Sequence, residues 1–558
     1  MATSQNRTVL NQAPPLVDYD VVAADHALRD AVLRHADEQV LGSLAALGTA
    51  AGSAEAREHG MLANENEPTL AGYDRYGDRI DQVRFHPSWH WLMSRAVAHG
   101  LAAAPWERAA QGAAQGGEQS AGHAHLRRAA GFVAWSQTEP GHGCPISMTY
   151  AAVPALRTDE LLAKEWVPLL ASTDYDPRTT PVQHKRGALA GMGMTEKQGG
   201  SDVRANITEA RPTAVEGEYT LHGHKWFTSA PMNDVFLVLA QAPGGLTCFV
   251  LPRVLPDGTR NSYDVVRLKE KLGNRSNASA ELEFNGALVR RLGDEGRGVR
   301  TIIEMVAATR LDCVLGSTSL IRRAVAEASW HVAHRSAFGG PLADKPLMRN
   351  VIADLAVESE AATAVAMRLA AAVDRADDAG EAALRRIGLP LAKFWVCKRT
   401  PAMVAEALEC LGGNGYVEES GMPLLYREAP LNSVWEGSGN VNALDVLRAL
   451  GREPAALDAW ITEVGLARGG DPRLDRAIEE TLALLGELMA APDAMEASAR
   501  RLAGRMAACL QGSLLVRHAP AAVADVFCAS RLAEPHGVYG MLTGGDLAAI
   551  VERATPVR

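Results

Sequence analysis

The stretch Gly191-Met192-Gly193-Met194-Thr195-Glu196-Lys197-Gln198-Gly199-Gly200-Ser201-Asp202 marks a change of texture in the chain. On its N-terminal side, from Ala23 to about Leu170, apolar residues recur at helical spacing, as in Ala27-Leu28, Ala31-Val32-Leu33 and Val40-Leu41. Within that region the small polar run Gln111 to Gly117 reads as a surface loop. On the C-terminal side the period shortens. Tyr219 to Phe227 partly alternates like a strand, and Val235-Phe236-Leu237-Val238-Leu239 and Thr247-Cys248-Phe249-Val250-Leu251 are buried-strand runs. Gly244-Gly245 and Pro256-Asp257-Gly258 supply turns between them. Helical patterns return from Gly298 to about Leu450, broken at Phe338-Gly339-Gly340-Pro341 and Leu411-Gly412-Gly413-Asn414-Gly415. Arg452 to Arg558 is again helical and rich in Ala and Leu. This order predicts a mainly α protein with a central β domain. The expected parts are a helical N-terminal domain (1–190), a small β-barrel or sandwich (191–290), a helical bundle (291–450) and a C-terminal helical extension (451–558).

The chain has 558 residues and 47% hydrophobic content, enough to bury a large core. Its formal charge of −10, from Lys+Arg 56 against Asp+Glu 66, excludes a globally basic nucleic-acid binder. No run approaches the roughly 20 uncharged apolar residues that span a bilayer. Met1 to Gln12 is polar and lacks the apolar centre of a signal peptide, which predicts a cytoplasmic protein. The seven cysteines include no C-x-x-C, which argues against a disulfide framework and a zinc ribbon alike; no metal is expected.

Four segments carry chemistry. In the opening stretch, backbone N–H groups beside glycine, together with the Thr195 and Ser201 hydroxyls, suit a phosphate or a flavin edge. The spacing is neither a Walker loop nor G-x-G-x-x-G, so the triphosphatase and Rossmann readings do not apply. Alone, the segment reads more readily as an ordinary Gly/Ser turn. In Lys225-Trp226-Phe227-Thr228-Ser229 an indole followed by a hydroxyl suits one wall of a planar cofactor, although a strand Trp is more often core. In His334-Arg335-Ser336-Ala337-Phe338-Gly339 the Arg fork suits a pyrophosphate and the Phe a ring face; a solvated Arg at a helix stop is the plainer alternative. The fourth is Val434-Trp435-Glu436-Gly437-Ser438-Gly439-Asn440, just after Tyr426-Arg427-Glu428. A carboxylate between an indole and a flexible turn can lose part of its hydration and become a stronger base towards a carbon acid. A solvated loop Glu is the alternative.

Taken together and in order, these segments resemble the acyl-CoA dehydrogenase family of FAD enzymes. The resembling motifs are Met194 to Asp202, Lys225 to Thr228, Arg335 to Gly339, Gly412 to Tyr416 and Glu436 to Ser438, spread over roughly residues 10 to 450. Val9 to Leu16, Val83 to Pro87, Lys271 to Ser279 and the extension beyond Leu450 are closer still to one bacterial branch of that family, the adaptive-response branch linked to DNA alkylation damage. The resemblance implies an FAD-dependent α,β-dehydrogenation of a short or branched acyl-CoA such as isovaleryl-CoA. It implies a homotetramer, and for that branch weak dehydrogenase activity and double-stranded DNA as a partner. The alternative it leaves open is a DNA-binding protective flavoprotein whose dehydrogenase activity is largely vestigial. The electron acceptor is not implied.

Residue by residue, the resemblance makes Glu436 the base that removes the α-proton while the β-hydrogen leaves as hydride to the flavin. Some family members carry the base on a helix, just before an Arg; the matching dipeptide here is Thr309-Arg310, and threonine cannot act as that base. Met194, Thr195, Gly200 and Ser201 are expected along the flavin ring and its chain, and Trp226, Phe227 and Thr228 beside the isoalloxazine. Arg335 and Phe338 are expected to serve the pyrophosphate and adenine half of a neighbouring subunit's FAD. Gly412 and Gly413 allow close backbone approach to it, and Ser438 and Asn440 complete the pocket near Glu436. Glu409 stands where common members carry a Gln that contacts FAD. Over Arg452 to Arg558, 11 Arg and no Lys stand against 14 Asp+Glu, a net of −3. A DNA surface there would have to gather Arg448, Arg500, Arg501, Arg505, Arg517 and Arg531 on one face.

Overall fold

A computed structural model describes residues 10–115, 123–535 and 537–557. Residues 1–9 and the pair Gly116-Gly117 lie outside that range. The chain divides into two compact units, one of Glu55–Gly316 with Val434–Val441, the other of the residues before Glu55, Ser317–Ser433 and those from Asn442 on.

In the first unit the strands are β1 (Ala190–Gly193), β2 (Glu209–Pro212), β3 (Glu218–Ser229), β4 (Val235–Ala242), β5 (Gly245–Pro252), β6 (Tyr263–Leu268) and β7 (Ser279–Leu292). They pair in the order β1-β4-β2-β3-β7-β5, with β6 on β7, and an antiparallel β4–β5 pairing closes the sheet into a small barrel. β1 and β2 lie parallel to β4, while β2–β3 and β3–β7 are antiparallel. The apolar run in β4 has a simple cause: successive residues face two different cores. Phe236, Val238 and Ala240 point into the barrel with Leu221, Phe249, Leu251 and Phe284. Val235, Leu237 and Leu239 point outward into a second core with Met148, Leu156, Trp166, Ile302 and Met305. That second core is built by helices Gly143–Leu156 and Glu160–Leu170 and the start of α1 (Gly298–His334). Asp159 caps the second of these, accepting from Leu161 N and Leu162 N at 3.0 Å.

Two features of the N-terminal region differ from the sequence reading. Gln111 to Gln115 are the last turn of a helix, Ala104–Gln115, and not a loop; their Ala and Gln content suits a helix, and only the Gly pair beyond it signals a break. The region also contains an antiparallel hairpin, Thr69–Tyr73 with Arg79–Arg84. Its second strand alternates, burying Asp81 and Val83, and Asp74 forms its turn by accepting from Tyr76 N and Asp78 N.

α1 supplies its first part to the barrel unit and its second to the other. That other unit is a helical bundle containing α2 (Pro346–Asp374), α3 (Ala379–Cys410), α5 (Pro472–Ala490) and α6 (Pro492–His518), and most of α4 (Gly439–Arg452). Asp378 and Asp471 cap α3 and α5, and α2, α5 and α6 each begin with Pro, whose missing N–H costs nothing in a first turn. Phe338-Gly339 forms the tip of a two-strand ribbon, Ser336–Ala337 with Gly340–Pro341, and Gly412–Tyr416 a single 3₁₀ turn. Two buried ionic clusters fix the C-terminal region to the bundle. Arg368 and Arg517 share Glu463, and Arg399 and Arg531 share Glu358. All seven cysteines are buried thiols, and none is in a disulfide. Among the described residues, no helix is long and apolar enough to cross a membrane.

Candidate active site

The loop after β1 is fixed from below by charge. Glu196 is fully buried and accepts from Lys225 Nζ at 2.8 Å, Ile207 N at 2.7 Å, Thr208 N at 3.2 Å and Gln198 Nε2 at 3.1 Å. Lys225, equally buried on β3, also donates to Leu239 O at 2.7 Å. Burial opposes both charges. For Glu196 the attraction of Lys225 and the backbone donors overcome it and hold the carboxyl at about 2; Lys225 falls to about 8, so both are ionised at neutral pH. Lys225 is thus an interior anchor. Beside it Trp226 N donates to Thr195 O at 2.9 Å, which brings the first and second sequence segments together. Asn206 Nδ2, just beyond the loop, donates to Met194 O at 2.9 Å and ties the loop's end back to its start. Gly200 is required because a Cβ there would sit 2.3 Å from Thr195 Oγ1. Gly200 and Ser201 lie exposed at the loop tip.

Trp226 is half-buried, and its ring faces two ammonium groups, Lys269 Nζ at 3.6 Å and Lys197 Nζ at 5.5 Å from the centroid. Phe227 is exposed, with Lys269 Nζ at 4.5 Å. Thr228 Oγ1 is buried and meets no hydrogen-bond partner among the described residues.

Glu436 has φ +54°, a left-handed conformation that a residue with a Cβ rarely adopts. Two consecutive residues of α1 hold it there. Thr309 Oγ1 donates to Glu436 Oε2 at 2.6 Å, and Arg310 Nε donates to Glu436 O at 3.3 Å. α1 is itself pinned one turn on, where buried Asp312 accepts from Arg128 Nη2 at 2.7 Å. Trp435 packs on the same core as Met194, Met232 and Ala308, so the surroundings of the turn are apolar. Cys144 lies close by. Burial pushes its thiol up to about 12, with the Ser229 hydroxyl within hydrogen-bonding reach and Lys271 and Glu436 in electrostatic range. Lys271 Nζ donates to Asn277 O at 2.5 Å and Ser279 Oγ at 3.0 Å, and Ser276 Oγ to buried Glu139 at 2.8 Å. The barrel unit thus gathers the loop after β1, the end of β3 and the Glu436 turn, with Ser438 and Asn440 following at the start of α4.

Arg335, Phe338, Gly412 and Gly413 belong to the bundle unit. Asn11 and Gln12 bring their two loops together: Arg335 Nη1 donates to Asn11 O, Ser336 N to Asn11 Oδ1 at 2.8 Å, and Asn414 Nδ2 to Gln12 Oε1 at 3.0 Å. Phe338 is 92% exposed at the ribbon tip, and no atom would obstruct a Cβ at Gly412 or Gly413. In the barrel unit, the orphaned Thr228 hydroxyl beside the half-buried Trp226 ring fits the edge of a planar cofactor; in the bundle unit, the open glycine pair and the presented Phe338 ring fit a phosphate-linked tail.

The six arginines expected at a DNA surface do not form one set. Arg531 is largely covered, its side chain 7% exposed, and pairs with Asp354 and with Glu358 at 3.1 Å, and Arg517 pairs with Glu463 at 2.6 Å. In both, the guanidinium is engaged by carboxylates within the chain, which competes with any contact to a phosphate. Arg505 pairs with Glu480 at 2.7 Å, while Arg448, Arg500 and Arg501 are exposed.

Residues 11–177 match the adaptive response protein AidB N-terminal domain, residues 191–287 the acyl-CoA dehydrogenase middle domain and residues 296–451 the acyl-CoA dehydrogenase C-terminal domain. The chain belongs to the acyl-CoA dehydrogenase family of FAD-dependent oxidoreductases. It is 47% identical to the putative acyl-CoA dehydrogenase AidB of Escherichia coli K12 over 85% of this chain and 86% of that one. It is 31% identical to acyl-CoA dehydrogenase family member 11 of Caenorhabditis elegans over 84% of this chain and 78% of the relative. The crystal structure of C. elegans ACDH-11 in complex with C11-CoA superposes with a TM-score of 0.84 at 27% identity, covering 96% of both chains.

Sequence reading gave no partner role to Asn11, Gln12, Thr309 or the Glu196–Lys225 pair. Only the last had a signal, a lysine at an inward-facing strand position. Lys225→Met should destabilise the protein by about 3–5 kcal/mol by leaving Glu196 buried and unpaired. Adding Glu196→Gln should recover part of that loss in a double-mutant cycle measured by denaturant unfolding. Equal stability of wild type and Lys225→Met would show that the pair is not an anchor.

Proposed function

We propose that the protein oxidises a short or branched acyl-CoA, such as isovaleryl-CoA, across its α,β bond, with Glu436 as the base. The observation that supports this most directly is the doubly held, left-handed Glu436 set among apolar side chains beside the loop after β1. Bound FAD would supply the two-electron acceptor for the β-hydrogen. Met194, Thr195, Gly200, Ser201, Trp226, Phe227 and Thr228 would hold its flavin half, with Ser438 and Asn440 near the base. The chain's own work is to fix the carboxylate, exclude water from it and support charge on the thioester oxygen. Glu436 N–H is the donor for that oxygen in this reading. Glu436→Gln keeps the side-chain volume and removes the base, so it should retain FAD and stability but lose flavin reduction by isovaleryl-CoA. Wild-type bleaching in this variant would assign the base elsewhere.

In the same reading the protein acts in the cytoplasm as a homotetramer, in which Arg335, Phe338, Gly412 and Gly413 serve a neighbouring subunit's FAD. The exposure of Phe338 supports this. A protein that sediments as a monomer with one FAD fully bound would overturn it.

The finer link, to the alkylation response and to double-stranded DNA, is supported by the match of residues 11–177 and by the exposed Arg448, Arg500 and Arg501. Binding through these residues should be sequence-independent and weaken steeply between ~50 and ~200 mM salt. Replacing Arg500 and Arg501 together by Gln should flatten that slope and leave flavin content unchanged. Absence of binding at ~50 mM salt leaves the dehydrogenase reading alone.

A further inference from the structure

We propose that Thr309 is the positioning residue of the base, its hydroxyl holding the Glu436 carboxyl group in one place in both protonation states. The inference rests on the reading of Glu436 as the base and deepens it. Its ground is a pair of distances at one oxygen. Thr309 Oγ1 is 2.6 Å from Glu436 Oε2 and 3.0 Å from the carbonyl oxygen of Val306, one turn back in α1. A threonine has one proton and two lone pairs, so it cannot donate to both acceptors at once. It can donate to one and accept at the other. While Glu436 is a carboxylate, the hydroxyl proton points at Oε2. When the carboxylate has taken up the α-proton, its new O–H donates to Oγ1, and the threonine proton turns to Val306 O. No proton leaves the threonine. The substrate's Cα–H bond breaks and one O–H bond of Glu436 forms; the electron pair left on Cα becomes the α,β double bond as the β-hydrogen leaves with its own pair for the FAD that would be bound there, and the hydrogen bond between the two side chains reverses direction.

The value of this arrangement follows from where Glu436 sits. Its backbone is in a strained conformation, and a carboxyl group on a glycine-flanked turn has several rotamers to lose. Arg310 holds the backbone carbonyl and Thr309 the side chain, from adjacent positions of one helix that the Arg128–Asp312 pair fixes. Thr309 is itself buried, so water does not readily replace it. Among the described residues, the charged and titratable groups near the carboxylate include Arg310 on α1, Cys144 on helix Gly143–Leu156 and, about Cys144, Lys271 after β6. Substituting Thr309 alters none of them.

The test uses the FAD-loaded protein and isovaleryl-CoA. Thr309→Val keeps volume and branching and removes the hydroxyl. The rate of anaerobic flavin reduction should fall roughly ten- to a hundredfold, the scale of one charge-assisted hydrogen bond, with KM changed less than about threefold. Thr309→Ser should restore the rate to within about threefold. A second readout needs no turnover. The infrared carboxylate band of Glu436, taken as the difference between each protein and its Glu436→Gln counterpart, should titrate at higher pH in Thr309→Val and unchanged in Thr309→Ser, because a donor to the charged form has been removed. If Thr309→Val fails to fold, Thr309→Ala carries the same comparison. Thr309→Val with a wild-type rate and an unmoved carboxylate titration, beside an inactive Glu436→Gln, would overturn the positioning role and leave the base in place. A rate as slow in Thr309→Ser as in Thr309→Val, with neither titration moved, would also overturn it by assigning the effect to packing. Wild-type bleaching in Glu436→Gln would instead remove the reading on which the inference rests, and the infrared titration would still report whether Thr309 holds the carboxylate.

Discussion

A single buried ion pair organises the barrel end of the site. Glu196 belongs to the loop after β1, Lys225 to β3, and their shared partners reach the approach to β2 and the middle of β4. Two charges taken out of water gain little net stability from each other. Here burial moves Lys225 down even as Lys225 moves Glu196 down, so the two effects largely offset. What the pair provides is position. A glycine-rich loop has many conformations of similar energy, and its backbone groups would otherwise be satisfied by water in most of them. Burying its one interior carboxylate against a lysine on the neighbouring strand leaves only the arrangement in which Trp226 N meets Thr195 O.

The same logic explains what was readable from the sequence. The barrel strands were legible because period and burial agree in them, as in β4, where both faces are apolar and the run is continuous. The order of the motifs was legible because each contains residues whose chemistry is unusual in a turn: Arg335 with Phe338, the Gly412-Gly413 pair, Glu436 beside Trp435. The hairpin at Thr69–Arg84 was not, because its two short strands sit among helical patterns and show alternation over too few residues to outweigh their neighbours. Gln111–Gln115 failed for the opposite reason: small polar residues look like a loop when a Gly pair follows, yet Ala and Gln continue a helix readily.

Pairing was the least legible level. The C-terminal arginines show the reason. A count of positive charges gives field and net charge, which do not depend on partners. Whether one guanidinium faces solvent depends on a carboxylate that lies far off in sequence. Arg531 finds Glu358 and Asp354, and Arg517 finds Glu463, so both are used up inside the fold, while Arg500 and Arg501 remain at the surface. Asn11 poses the same problem at the N-terminal end. Its left-handed backbone lets one side chain pair with both backbone groups of Ser336, a contact across 325 positions that no local pattern records.

Thr309 illustrates how a residue is discounted by asking too narrow a question. As a base it is useless, since its hydroxyl does not ionise near neutral pH. As a partner for a base it has what a carboxyl group requires: a donor for the charged state and an acceptor for the neutral one, at a single atom. An amide side chain could do the same only by rotating; a lysine could not accept from the neutral acid at all, and its charge would stabilise the ionised form and weaken it as a base. A hydroxyl adds no charge and turns about one bond. With Val306 O as its second acceptor, the cost of reversing the hydrogen bond is that of exchanging one neutral partner for another. A helix that carries no carboxylate at that position can therefore still determine where the carboxylate on the turn points.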